Sequence, residues 1–136
     1  MEVRHVSISV DSPPEAVYGF AAKVENLPQW ATGLCQTIRN VNGEWIADGP
    51  VGKVKVRFAE PNAFGVLDHD VVLASGATIH NPIRVVPNGA GSEVMFTLLR
   101  QPGVSAEKFA EDAKAVERDL RALKALLEER AARRDQ

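Results

Sequence analysis

Hydrophobic residues change their period three times along this chain. Val6, Ile8 and Val10 alternate with serines, the period-2 pattern of a strand with one dry face. Val17, Phe20, Ala21 and Val24 then recur at helical spacing. Ahead of them, Ser12 is placed to cap the helix, Pro13 suits its first turn, and Glu15 completes a capping box. A second short helix is expected from Asn26, carrying Leu27 and Trp30 and stopping at Gly33. From Leu34 to Arg100 the pattern returns to strands broken by turn residues. Asn42–Gly43 is a strong hairpin signal, Gly49–Pro50 another break, and Val54, Val56 and Phe58 alternate with Lys53, Lys55 and Arg57. Strands are predicted at about 64–74, 78–87 and 92–100, with connections too short for parallel crossovers, so the sheet is an antiparallel meander. After Gly103 the period lengthens again. Phe109, Ala113, Val116, Leu120, Leu123 and Leu127 mark an amphipathic helix of roughly 25–28 residues, with Ser105 as its cap.

The segment FGVLDHDVVL, Phe64–Leu73, sets Asp68, His69 and Asp70 in a row on a predicted strand. Hairpin registration sorts them. With Val72 opposite His80, Asp70 faces Pro82 and Asp68 faces Arg84. The following turn agrees if Val85 pairs with Val94, Ile83 with Phe96 and Asn81 with Leu98. One face then carries Leu67, His69, Val71, Leu73, Ile79, Asn81, Ile83 and Val85, while Asp68, Asp70, His80, Arg84 and Glu93 share the other. A one-residue slip would exchange the faces, so burial selects this register. Only His69 of the trio points inward, with Asn81 diagonally across at about 7–8 Å. A buried polar group without a partner costs about 1–3 kcal/mol, so both need each other, water or a ligand. Three roles for His69 stay open: a structural residue bonded to backbone, a group that orients a ligand, or a general acid–base. The last lacks a carboxylate on the same face to orient the ring.

Composition narrows the chemistry. The chain has 136 residues, 45% hydrophobic and 25% charged, which is enough for a single domain, 1–136, with a sizeable core. A net charge of -2 with evenly mixed signs argues against nucleic acid or an anionic membrane as partner. The row Lys53, Lys55, Arg57 has no interleaved aromatics and reads as a solvated face. The N-terminal segment resembles neither a signal peptide nor a membrane span, and Cys35 is the sole cysteine, so a cytoplasmic location without stable membrane insertion is expected. His5, His69 and His80 share no metal-ligand spacing, and neither metal nor cofactor is expected. Cys35 reads as a small buried thiol.

The stretches SISVDSPPEAVYGFAAKVENLPQWATGL and NPIRVVPNGAGSEVMFTLLRQPG, with the terminal helix, carry a resemblance to the START-like (SRPBCC) superfamily, in particular its polyketide cyclase/dehydrase-like branch. It covers nearly the whole chain. The resemblance implies an α+β helix-grip fold: a curved antiparallel sheet wrapped around a long C-terminal helix, with two short helices after the first strand. It also implies an apolar cavity between sheet and helix, closed at its mouth by Leu27–Gly33.

The function expected on these grounds is binding of a small apolar or aromatic molecule, such as a lipid or polyketide. Trp30, Val56, Phe58, Leu67, Val71, Ile83, Phe96, Val116 and Leu120 would supply the wall, and His69 and Asn81 would fix a polar end. Trp45, Phe20 and Phe64 are further aromatics that could line a cavity or fill the core. Two alternatives stand beside this one. The first is a polyketide cyclase or dehydratase using His69 as a proton shuttle. The second is a protein-interaction module of the chaperone-regulator type. Monomer and homodimer are equally compatible with the sequence.

Overall fold

The computed structural model describes residues 1–134. The order is strand β1 (Val3–Val10), helix α1 (Pro14–Ala21), one 3-10 turn (Val24–Asn26), helix α2 (Leu27–Trp30), then strands β2 (Thr37–Val41), β3 (Glu44–Gly49), β4 (Gly52–Phe58), β5 (His69–Val72), β6 (Thr78–Asn81), β7 (Ile83–Asn88) and β8 (Gly91–Leu99), and finally helix α3 (Ala106–Arg134). This is the α+β helix-grip arrangement: antiparallel strands, two short helices after the first of them, and a long helix at the end.

The first helix begins one residue later than the capping box implied. Pro14 follows Pro13, and the residue before a proline is driven out of the helical region. Pro13 accordingly sits at the cap in extended conformation, φ -66 and ψ 153, and no side chain caps the helix. Ser12 is buried instead, and its carbonyl accepts a hydrogen bond from the Ser92 hydroxyl at 2.7 Å. That bond joins the end of β1 to the start of β8 in the interior. Ser92→Ala should cost about 1–2 kcal/mol in urea unfolding, because the Ser12 carbonyl would be left dry and unpaired. An unchanged midpoint would mean that the bond contributes nothing net.

Asn42 and Gly43 form the β2–β3 turn with φ 53 and 87, and Val41 pairs with Glu44. Further along, the expected continuous meander is interrupted. Residues 78–87 split at Pro82 into β6 and β7, and the strand expected over 64–74 shortens to His69–Val72. Proline has no amide hydrogen for the ladder, so pairing breaks there. The strands therefore form two sheets, β1-β8-β7 and β2-β3-β4-β5-β6. They are stitched where the segment just before β5 approaches β7: Val66 bridges Arg84, and the Leu67 amide donates to the Ile83 carbonyl at 2.9 Å. The Asp68 carboxylate accepts from the Ile83 amide at 3.0 Å and is ion-paired with Arg84.

The register of β5 against β6 also differs from the expected one. Val72 pairs with Thr78, Asp70 with His80 and His69 with Asn81, a shift of two residues. An even shift preserves the faces, so Leu67, His69 and Val71 are buried while Asp70 faces outward onto His80, Oδ1 to Nδ1 2.7 Å. Asn81 comes directly opposite His69 and does not pair with Leu98. The β7–β8 register, Val85 with Val94 and Ile83 with Phe96, follows the pattern of burial.

The Ser105 hydroxyl accepts the Lys108 amide at 3.1 Å and so caps α3. Phe109, Ala113, Leu120, Leu123 and Leu127 are buried along one stripe. Lys124 and Glu128 tether the helix to the first strand, through the Ser9 carbonyl at 2.9 Å and the Asp11 amide at 2.8 Å. Leu120, Leu123 and Leu127 join Val54, Val56, Val71, Ile83, Leu27 and Trp30 in one hydrophobic cluster. No helix among the described residues is long and apolar enough to cross a membrane.

Candidate functional site

A groove of about 500 Å³ opens between the β3–β4 ribbon and the end of α1. Its floor comes from the sheet: Trp45 and Val56 are ladder partners, and Phe58 lies two residues further along the same face. Tyr18, Ala22 and Val24 form the opposite wall, and Ala59–Pro61 with Leu67 close one end. α3 contributes no residue to this lining. This groove therefore lies beside the first helix, whereas over the middle of the sheet the leucine stripe of α3 packs with Val54, Val56, Val71 and Ile83, and a second groove of similar volume opens between β1 and α3.

The loop from Ala59 to Asp68 is held by Asn62. Its amide nitrogen donates to the carbonyls of Glu60 and Val66, at 3.0 and 2.9 Å. Its side-chain oxygen accepts from the amides of Phe64 and Val66. The Asn62 backbone amide donates to the Tyr18 hydroxyl at 2.9 Å, which fixes the loop to the groove wall. Tyr18 keeps its own hydroxyl hydrogen for another acceptor.

His69 lies beneath this floor. Its ring stacks on Phe58 with centroids 4.8 Å apart and meets Phe96 edge-on at 6.4 Å. Nδ1 is 3.3 Å from the Leu67 carbonyl and Nε2 is 3.4 Å from the Asn81 amide nitrogen. A carbonyl can only accept, so Nδ1 carries the hydrogen and the bare Nε2 accepts from Asn81. Burial pushes the imidazole pKa down to about 4. Both nitrogens of the neutral ring are thus engaged by the protein, and the ring reaches the groove only through Phe58.

Of the wall residues expected from sequence, Val56, Phe58 and Leu67 line the groove. Trp30, Val71, Ile83 and Leu120 are buried in the cluster, with Phe96 and Val116 packed against it. The Trp30 indole N–H has no hydrogen-bond partner among the described residues. Phe64 stands out in solvent, 81% exposed. Cys35 is buried, donates to the Thr37 carbonyl at 3.2 Å and has its thiol pKa pushed up to about 11, chiefly by burial. It is a thiol with no nucleophilic character at neutral pH. Sequence reasoning missed Tyr18, Ala22 and Val24 as a wall. The signal was available: Tyr18 and Ala22 stand at i and i+4, on a face rotated from the Val17–Phe20–Ala21 core stripe.

No protein-family model and no curated protein matches the sequence. Solved structures do match its shape. A START superfamily protein from Mycobacterium smegmatis superposes with a TM-score of 0.71 at 12% identity, covering 93% of this chain and 97% of that one. The chain has a START-like fold. The Aha1 dimer from Colwellia psychrerythraea superposes on this START-like chain at 0.74, with 15% identity over 93% and 96% of the two chains. DynU16, a protein of the dynemicin biosynthetic locus, does so at 0.71 and 15% identity, covering 94% of this chain and 48% of that one. Identities this low establish the fold and leave chemistry to the residues.

Proposed function

We propose that this START-like protein binds a small apolar or aromatic molecule in the groove between β3–β4 and α1. The observation that carries the reading is the groove itself: half-buried Trp45 and Phe58, with Tyr18 and Val24 across from them, present aromatic and apolar surface to about 500 Å³ of open space, beside the charged Glu44, Lys55, Arg57 and Glu60. That volume lies within the ordinary range of ligand pockets. Apolar surface removed from water there is worth about 25 cal/mol per Å² before association costs. The free Tyr18 hydroxyl supplies a hydrogen-bond donor at the wall, so a ligand with one polar acceptor is favoured over a pure hydrocarbon. His69, held by Asn81, stacks on Phe58 from below, and with both its nitrogens engaged by the protein this reading gives it no proton-transfer role.

The reading is tested with a fluorescent aromatic probe, anilinonaphthalene sulfonate, and a variant that fills the groove. Ala22→Phe adds a ring to the wall while leaving the buried cluster intact. It should weaken probe affinity at least about tenfold, or about 1.4 kcal/mol, with little change in Tm. Equal binding to both proteins would remove the groove as the site. Native mass spectrometry of freshly purified protein would then identify any co-purifying molecule.

A further inference from the structure

β1 is an edge strand: it pairs with β8 on one side and, among the described residues, with no strand on the other. Its register is unbroken from Val3 to Val10, without a bulge or a proline to blunt it. The direction of its hydrogen bonds follows from one contact. The Arg100 amide donates to the Glu2 carbonyl, so the even-numbered residues of β1 bond to β8. The amides and carbonyls of Val3, His5, Ser7 and Ser9 therefore point away from the sheet. Lys124 occupies the last of these, donating to the Ser9 carbonyl. Val3, His5 and Ser7 remain open, and all three are exposed. Alongside them a second groove of about 500 Å³ separates β1 from α3, lined by Arg4 to Ile8 and by Glu117, Leu120 and Arg121.

We propose that this edge pairs antiparallel with β1 of a second copy of the chain, joining the two sheets across a twofold axis at His5. The Lys124 plug selects the register. Centring on Val6 would call on the Ser9 carbonyl and displace the lysine. Centring on His5 sets Val3 opposite Ser7 of the second copy and His5 opposite its counterpart, using the open groups and stopping before Ser9. The incoming strand brings Arg4 to the groove where Glu117 lies, an exposed carboxylate whose pairing with its neighbour Arg121 is loose, at 3.9 Å, and the symmetry repeats the approach. Arg4 is available for this, since its guanidinium rests on the Phe109 ring, 5.7 Å from the centroid, and has no carboxylate partner among the described ion pairs. A long regular edge is a template for another strand, and here the strand of matching register is its own copy.

Edge pairing buries little area, which places the dimer in the weak class, visible from about 10 to about 500 µM. Sedimentation equilibrium should show the 14.8 kDa chain rising toward twice that mass across the range. Ser7→Pro removes an outward amide that has no partner among the described residues, and should hold the protein at monomer mass. His5→Lys and His5→Asp each put like charges opposite across the axis, and each should be monomeric alone. Mixed in equal amounts they should recover the dimer, a result that a folding defect cannot produce. Monomer mass for the unaltered chain throughout, or dimers that persist in all three variants, would overturn the proposal.

Discussion

Gly65→Ala should destabilise the protein by about 4 kcal/mol or more, among the largest effects open to a single methyl group. Gly65 has φ +70, where a side chain is strained by about 1–3 kcal/mol. A Cβ there would also stand 2.1 Å from the Val85 carbonyl oxygen, a separation no real contact allows. Backbone would have to move, yet the Val85 amide donates to the Gly65 carbonyl at 2.9 Å and the Leu67 amide to the Ile83 carbonyl at 2.9 Å. These bonds join the two sheets, so the methyl group prises the seam apart. Leu67 and Pro61 belong to the same loop and line the groove, so probe affinity should fall together with Tm. Gly43→Ala is the control: it also has positive φ, 87, but meets nothing within 4 Å, and should cost only the strain. If the two variants proved equally stable, the seam would not be the tight point described.

How much of this was legible beforehand depends on what each residue had to compete with. The hairpin at Asn42–Gly43, the Ser105 cap and the α3 stripe are local, and each formed where the pattern placed it. Faces were legible because alternation survives an even shift in register. The shift itself was not, since Val72 opposite His80 and Val72 opposite Thr78 bury the same side chains. Pro82 could have announced the break between β6 and β7, but the apolar run on both sides of it read as one strand. The Ser12 capping box failed to a neighbour-level rule, the effect of Pro14 on Pro13. The groove beside α1 was not foreseen for a different reason. Sequence periodicity identifies which residues turn inward, but not which inward residues meet one another. Val56, Phe58 and Leu67 look like Val71 and Ile83 in the sequence, yet the first three border the groove beside α1, where Phe58 is left partly uncovered.

The second large effect is expected in acid, and it returns to the Asp68–His69–Asp70 trio. The three residues divide the work. Asp68 bonds the Ile83 amide and Arg84 across the seam, Asp70 pairs with His80 on the outer face, and His69 alone is inside. Burial holds the His69 pKa at about 4, against 6.5 for an ordinary histidine. The nearby Asp68 and Asp70 charges act in the opposite direction and are outweighed. Above pH 6.5 the ring is neutral whether the chain is folded or unfolded, and its full contribution to stability is present. As pH falls from 6.5 toward 4 the unfolded chain takes up a proton that the folded chain refuses, so stability is lost. At about 1.4 kcal/mol per pH unit, the loss amounts to about 3 kcal/mol by pH 4, below which both forms bind the proton. His69→Phe isolates this contribution from those of the carboxylates. The phenyl ring keeps the stacking on Phe58, and Asn81 is partly open to solvent, so the variant should fold with a modest penalty at neutral pH. Urea unfolding of both proteins at intervals from about pH 7.5 to about pH 4 should show their stabilities converging by about 3 kcal/mol, or crossing. Parallel curves would place the imidazole in contact with water in the folded protein, and the packed floor beneath Phe58 could not then be as described.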